Sequence, residues 1–159
     1  MEKQIDILKL AYHIINEKNL PYLNHLKLQK LLYYIQSWHL VFRGQPLFED
    51  YFEAWVHGPV ARKVYAYIKT YVSANRWSKL KPDPEMGDNV QDTLDPEQME
   101  IIEDVLQEYG DKTSYHLECL THREKPWLEA RGRLSETESC TNCIDNKTML
   151  KYYTSLLDA

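Results

Sequence analysis

The sequence predicts a mainly α-helical (α+β) single domain over residues 1–159, with about six helices and a small β-hairpin or short sheet. Apolar side chains recur with helical spacing along most of the chain. One aromatic-rich stretch, residues 47–56, instead alternates in part between apolar and polar residues, as strands do. A chain of 159 residues can bury a sizeable core without a metal ion or a disulfide, so one domain suffices.

The first half of the chain predicts two helices before the strand. A first amphipathic helix carries its apolar face from Leu8 to Ile15 and ends before Pro21. A second helix begins after Asn24, which can cap it, and ends at Gly44. The apolar stripe of this second helix consists of Leu28, Leu31, Leu32, Ile35, Trp38 and Phe42.

The segment His57-Gly58-Pro59 joins the predicted strand to a third helix. Proline suits the first helical position because its missing N–H has no partner there, and glycine allows a turn that a side chain would resist. Helical spacing continues from Val60 to Tyr71, so we expect the third helix to begin at Pro59. We interpret the junction as a strand-to-helix corner whose role is to present a surface.

The second half begins with residues 74–94, which show little periodicity. We expect this segment either to pair in part with residues 47–56 or to form a mobile contact loop. A fourth helix runs from Pro96 to Gly110, and its start has a capping box formed by Asp95 and Gln98. A short fifth helix is expected in 112–122, and Pro126 opens another. A last helix of about 146–157 has four residues directed inward, namely Leu150, Tyr153, Leu156 and Leu157.

The composition predicts a cytoplasmic protein with no membrane span. No apolar run approaches the length that crosses a bilayer, and the N-terminal residues do not form a signal peptide. Three cysteines, an odd number, argue against a secreted disulfide framework.

Charges are sorted along the chain, although the net charge is −5. Residues 61–81 contain six basic side chains and no acid, whereas residues 82–110 contain ten acids and neither Lys nor Arg. The two blocks either lie on solvated or mutually facing surfaces, or they form a polarised surface that orients a charged partner. The net negative charge argues against nucleic acid as a partner, because such binding depends on many contacts from Lys and Arg to phosphates.

Two kinds of chemistry and one kind of regulation remain open alternatives. Cys140 and Cys143 have the spacing of a metal knuckle, but a structural zinc site needs four ligands, and His116, Cys119 and His122 are the nearby candidates. A metal-dependent hydrolase would rest on these groups, yet no nucleophile motif is present. Helices around a small β element could also form a DNA-binding regulator. We predict no enzyme activity, no cofactor and no metal.

Three stretches together resemble the Panacea domain family of SocA-like and GepA-like antitoxins from phages and prophages. They are "LKLQKLLYYIQSWHLVFRGQPLF" (26–48), "EAWVHGPV" (53–60) and "LTHREKPWLEA" (120–130), so the resemblance covers residues 26–130. It implies a small cytoplasmic antitoxin that neutralises a toxin encoded beside it by protein contact. Some members of the family are thought to deliver the toxin to a cellular protease, which gives a second expected partner.

Twelve positions of this sequence match the family's motifs. Two of them, Trp55 and Trp127, are expected in the core, and His122 is open to a second interpretation, in which it holds a helix end with Thr121 as the cap. The matching positions are Lys27, Gln29, Lys30, Tyr33, Trp38, Trp55, Gly58, Pro59, Thr121, His122, Pro126 and Trp127.

The toxin-binding surface is predicted to be rich in Tyr and Trp, which interfaces favour. We expect it on the exposed side of the second and third helices and along residues 74–94. Its candidate residues are Tyr34, His39, Arg62, Tyr65, Arg76 and Trp77.

Overall fold

The part of the chain that the structure describes contains seven α-helices and a three-stranded antiparallel sheet, which confirms the prediction of a mainly α protein with a small β element. The structure is a computed structural model and describes residues 2–83, 85 and 89–158. Residues 114–131 form the two separate helices that the sequence predicted there, and these are divided at Arg123 and Glu124.

The elements follow one another in the order α1 (Ile7–Glu17), α2 (His25–Arg43), β1 (Phe52–Trp55), β2 (Gly58–Ala61), α3 (Arg62–Tyr67), α4 (Pro96–Tyr109), α5 (Ser114–His122), α6 (Lys125–Arg131), β3 (Cys143–Ile144) and α7 (Asn146–Leu157). A π-helical turn, Ile68–Val72, continues α3, and a short 3₁₀ turn, Val90–Asp92, precedes α4.

Helix α2 lies at the centre of the molecule. Helices α1, α4, α5 and α7 and strand β2 all contact it, and nearly every one of its side chains from His25 to Leu40 is buried. Its ends were predicted correctly: the side chain of Asn24 accepts a hydrogen bond from the Lys27 N–H, and Gly44 ends the helix in the left-handed conformation. Phe42, expected on the inward stripe, is instead 56% exposed near the helix end.

The first, fourth and last helices also confirm the sequence predictions. Asp95 and Gln98 form the expected capping box of α4, and Asp145 caps α7, which spans residues 146–157 as predicted. The inward orientation expected for Leu156 and Leu157 is wrong, because both lie exposed in the last turn of α7, beyond the helix's contacts with the core.

The third helix does not begin at Pro59, contrary to the sequence prediction. Gly58 and Pro59 belong to β2, which pairs with β1 through the register Trp55↔Gly58 and Ala54↔Pro59. A two-residue turn of Val56 and His57 therefore joins two strands, and α3 starts only at Arg62. Proline is tolerated here because β2 is an edge strand of the sheet, whose order is β2-β1-β3.

The described part of residues 74–94 does not provide the strand that pairs with residues 47–56. That role falls to β2 and to β3, whose Ile144 and Cys143 oppose Phe52 and Glu53. The described part of 74–94 is tied down instead by a hydrogen bond of 2.8 Å from the Leu80 N–H to the Leu23 carbonyl and by contacts between Asn16 and Asp83. Among the residues that the structure describes, no helix has the length and apolarity needed to cross a bilayer.

Candidate functional site

An open groove runs along the hairpin turn, the start of α2, and α3 with the segment that follows it. Two adjoining cavities of about 520 and 510 Å³ share His25, Tyr65 and Arg76 and form this groove. We call it the cationic groove. Its remaining lining residues are Leu26, Gln29, Trp55, Val56, His57, Val60, Arg62, Lys69, Ala74, Asn75, Trp77, Ser139, Cys140 and Thr141.

Stacked rings build the wall of the groove. The ring of His25, in the first turn of α2, stacks on Tyr65 of α3 at 5.3 Å between centroids, and Trp55 meets Tyr65 edge-on at 4.7 Å. Burial, with the nearby charges of Lys30 and Arg76, lowers the pKa of His25 to about 4. His25 is therefore neutral near pH 7 and acts here as an aromatic surface.

Three positively charged side chains lie near aromatic rings of the groove. Arg62 lies 5.6 Å from the ring centre of Trp55, Lys69 lies 5.6 Å from that of Tyr65, and Arg76 lies 5.8 Å from that of Trp77. Arg62 also forms a bidentate ion pair with Glu53, with distances of 2.8 and 2.7 Å. Hydrogen bonding to Arg62 is the main reason why the pKa of Glu53 is lowered, so Glu53 remains charged and holds Arg62 beside Trp55.

The hairpin turn forms one end of the groove. The Nδ1 atom of His57 lies 2.6 Å from Oε1 of Glu118 on α5, and its ring meets Trp77 edge-on at 5.9 Å. Gly58 follows the turn and has a φ of 105°. It is closely packed, because an added Cβ would lie 2.5 Å from Cε of Lys30 and 2.9 Å from Oγ1 of Thr121. The turn is thus fixed from behind by α2 and α5.

Lys30 is a fully buried amine behind this turn. Its Nζ atom has no hydrogen-bond partner among the described residues, and burial is the main cause that lowers its pKa from 10.5 to about 7. Glu118 opposes this shift, while Arg76 adds to it. Lys27, three residues earlier, is also buried, but its Nζ donates a 2.6 Å hydrogen bond to the Pro21 carbonyl.

Four of the six residues predicted to contact a partner line the cationic groove together: Arg62, Tyr65, Arg76 and Trp77. Their role stays a prediction. The expectation that Tyr34 and His39 lie on an exposed face is wrong, because both are fully buried. Helix α2 is covered on all sides, so it has no solvent-exposed face at these positions.

Tyr34 and His39 have structural partners instead. Tyr34 donates a 2.7 Å hydrogen bond to Glu124, and its ring stacks on Tyr109 at 4.1 Å. Tyr153 of α7 donates to the same Glu124 oxygen, and burial raises the pKa of this carboxyl to about 6. The Nδ1 atom of His39 lies 2.6 Å from the Gln45 carbonyl.

Most family-motif residues hold elements together rather than face solvent. Gln29 of α2 binds both backbone groups of Ala61 and so satisfies the edge of β2. Trp127 donates a 2.8 Å hydrogen bond to the Trp55 carbonyl and stacks on His122 at 4.0 Å. Trp55 itself is half-buried in the groove rather than in the core, where it was expected.

The other motif residues serve similar purposes. The indole N–H of Trp38 donates to the Tyr109 hydroxyl at 3.0 Å, and Tyr33 lies in the core against Phe52 and Tyr153. Within α5, the Thr121 hydroxyl donates to the Glu118 carbonyl, while Pro126 starts α6.

Cys140 and Cys143, the pair with metal-knuckle spacing, differ in their exposure to solvent. Cys140 is buried and lines the groove, whereas Cys143 is exposed on β3. Within residues 2–83, 85 and 89–158, no three His, Cys, Asp or Glu side chains come together as metal ligands. The alternative of a metal-dependent hydrolase therefore finds no ligand set in this part of the chain.

His25 and Lys69 are among the groove residues that sequence reasoning did not select as candidates. Lys69 lies within the basic block 61–81, and that clustering was the signal that could have found it. His25 is a polar residue directly after a helix cap, which does not by itself indicate a ring stacked under Tyr65, since that contact joins residues far apart in sequence.

Comparison with known proteins places this fold in a family. The model of the family described as "Antitoxin SocA-like, Panacea domain" matches residues 28–128, well over half of the chain. The chain belongs to this family. The matched range of the Panacea domain includes the hairpin, α3 and the basic groove residues from Arg62 to Arg76.

A curated relative agrees with this assignment over a shorter segment. Antitoxin SocA of Caulobacter vibrioides is 49% identical over 43 residues, which are 27% of this chain and 23% of that protein. The alignment thus spans about a quarter of the relative. No solved structure matches the chain. Membership in the Panacea family supports an antitoxin role and a non-enzymatic one.

Proposed function

We propose that this Panacea domain neutralises a cognate protein toxin by direct contact, and that the cationic groove is the contact surface. The observation that carries the proposal is the convergence of Arg62, Tyr65, Arg76 and Trp77 on one open groove, within the range matched by the antitoxin family. These residues come from α3 and from the segment after it, and only the fold brings them together.

The side chains of the groove suit a protein interface. Aromatic and arginine side chains carry much of the binding free energy at such surfaces, especially where they are held rigidly. Tyr65 is fixed between His25 and Trp55, so little conformational entropy is lost when a partner covers it. Trp77 is 58% exposed and adds apolar surface that a partner can bury.

Co-expression with the product of the adjacent reading frame tests this function. We expect the chain to restore growth of cells arrested by that product, and Trp77→Ala to weaken rescue and to lower the affinity of the purified pair by about tenfold or more. Tyr115→Ala is the matched control, because Tyr115 is an aromatic residue of α5, 73% exposed, outside the groove.

Two outcomes would contradict the proposal. One is an adjacent product that neither arrests growth nor binds the chain. The other is equal rescue and equal affinity for the Trp77 and Tyr115 variants, which would remove the groove from the interface. Delivery of the toxin to a cellular protease and a cytoplasmic location stay predictions from the family resemblance, and the half-life of the toxin with and without this chain tests the former.

A further inference from the structure

The charge of the cationic groove is not balanced by acids on its walls. No Asp or Glu is among the residues that line its two cavities in the described part of the chain. Arg62 is paired with Glu53, but Lys69 and Arg76 have no ion pair with any described residue. Two exposed cations on the wall therefore remain available to an anionic partner.

A buried amine lies behind the same surface. Lys30 and Arg76 are close enough for the charge of Arg76 to disfavour protonation of Lys30. The carboxylate that opposes this effect, Glu118, is already bonded to His57. Arg76 lies on the wall of both cavities without a carboxylate partner among the described residues, so the groove favours negative charge at this point.

The rings beneath the cations add a second requirement. Trp55, Tyr65 and Trp77 present apolar surface next to Arg62, Lys69 and Arg76. A ligand that satisfies only the charges would leave these rings facing water. The best complement carries carboxylates and at least one large apolar side chain in the same short segment.

The charge of the rest of the chain favours a protein over a nucleic acid. The net charge is −5, and α4 exposes several acids, among them Glu100, Asp104 and Glu108. A nucleic acid long enough to need contacts beyond the groove would meet this repulsion. A short acidic segment of a protein needs only the groove itself.

We propose that the cationic groove binds an acidic segment of the toxin that carries an aromatic side chain, with Lys69 and Arg76 pairing with its carboxylates and Tyr65 and Trp77 contacting its ring. This inference rests on the proposed antitoxin function and names the chemistry of its partner. The occupant is thus a carboxylate-rich peptide segment rather than a nucleic acid or a second copy of this chain.

Fluorescence anisotropy with a labelled peptide tests the inference. The probe is a short peptide rich in Asp and Glu with a central Trp, compared with the same peptide carrying Lys in place of each acid. We expect the acidic probe to bind and the basic one not to bind. Lys69→Glu with Arg76→Glu should weaken binding of the acidic probe by about tenfold or more, since both attractive pairs become repulsive.

The matched control is Lys79→Glu with Lys81→Glu, which makes the same change of net charge on exposed residues outside the groove. Circular dichroism shows whether both double variants are folded. If the groove variant is unfolded, Lys69→Gln with Arg76→Gln replaces it and should also bind the acidic probe more weakly than the control does.

Several results would overturn the inference. They are absence of binding by the acidic probe, equal weakening in the control variant, tighter binding of a single-stranded oligonucleotide at the same salt concentration, and self-association of the wild-type chain that the groove variant abolishes. A toxin that binds while the acidic probe does not would refute the inference alone. An acidic probe that binds while no toxin does would refute the proposed function alone.

Discussion

Lys27 and Lys30 are two buried lysines on the same helix whose amines have different surroundings. The amine of Lys27 reaches the Pro21 carbonyl, whereas the amine of Lys30 has no hydrogen-bond partner in the described structure. A buried, unpartnered amine destabilises a fold because the charged form loses its hydration. Lys30 also matches a family motif, so we attribute its presence to the groove surface that lies in front of it rather than to stability.

Replacing Lys30 tests this interpretation. We expect Lys30→Met to raise the free energy of unfolding by about 2–4 kcal/mol at pH 6.5, because methionine fills the same apolar space without a charge. Lys27→Met should instead lower it by about 1–2 kcal/mol, because the Pro21 carbonyl loses its donor. Urea unfolding of the three proteins measures both changes.

The gain from Lys30→Met should depend on pH. The pKa of Lys30 is about 7 in the folded protein, against 10.5 as the ordinary value. Below pH 7 the amine is charged in both states, and the full penalty of burying it is present. Between pH 7 and 10.5 the unfolded chain binds more protons, so wild-type stability rises with pH relative to the variant. The difference in free energy of unfolding between Lys30→Met and the wild type should therefore decrease from pH 6.5 to pH 9.5. A difference that stays constant over this range would contradict this account.

Single residues also show where sequence reasoning reached its limit. Composition and charge were enough to select four basic and aromatic residues, Arg62, Tyr65, Arg76 and Trp77. Arg62 and Tyr65 lie in α3, and Arg76 and Trp77 lie in the exposed segment that follows it. Tyr34 and His39 could not be rejected on the same grounds. Their burial depends on α4, α5 and α7 covering α2, which no local pattern reveals.

At the scale of elements, the β-hairpin is the piece that the sequence misrepresented. Proline suits both the first turn of a helix and an edge strand, and the following apolar residues fit both. The contact that favours the strand is the pair of hydrogen bonds between Gln29 of α2 and Ala61, in which the Gln29 amide donates to the Ala61 carbonyl and accepts from the Ala61 N–H. Helix ends were predictable where the signals are local, as at Asn24, Gly44 and Asp95.

Gly58 provides the sharpest test of the hairpin. Its φ of 105° disfavours any side chain, and an added Cβ would collide with Lys30 and Thr121. We expect Gly58→Ala to lower the free energy of unfolding by about 3 kcal/mol or more. Gly44→Ala is the matched control, since Gly44 also has a positive φ, 72°, but nothing lies within 4 Å of the added atom.

For Gly44→Ala we expect the free energy of unfolding to fall by only about 1 kcal/mol. Thermal unfolding followed by circular dichroism compares the two variants. If both variants lose a similar amount of unfolding free energy, the backbone conformation alone would account for the effect. The described packing of the turn against α2 and α5 would then be contradicted.

At the scale of the whole molecule, no ion pair among the described residues joins the basic block 61–81 to the acidic block 82–110. The basic block contributes Arg62, Lys69 and Arg76 to the groove, and the acidic block places exposed carboxylates along α4. The sequence alone left open whether these blocks face one another. In the structure, the ion pairs of Arg62 and Lys63 are with Glu53 and Asp6 instead, so charge on the groove remains to orient a partner.

Amide hydrogen exchange, measured for this chain alone and in complex with the toxin, tests the central claim most directly. The account predicts slower exchange in residues 55–58 and 62–77 when the toxin is bound, and unchanged exchange on the acidic helix, residues 97–108. Slower exchange confined to residues 97–108, or no change in 62–77 in a complex that forms, would contradict it.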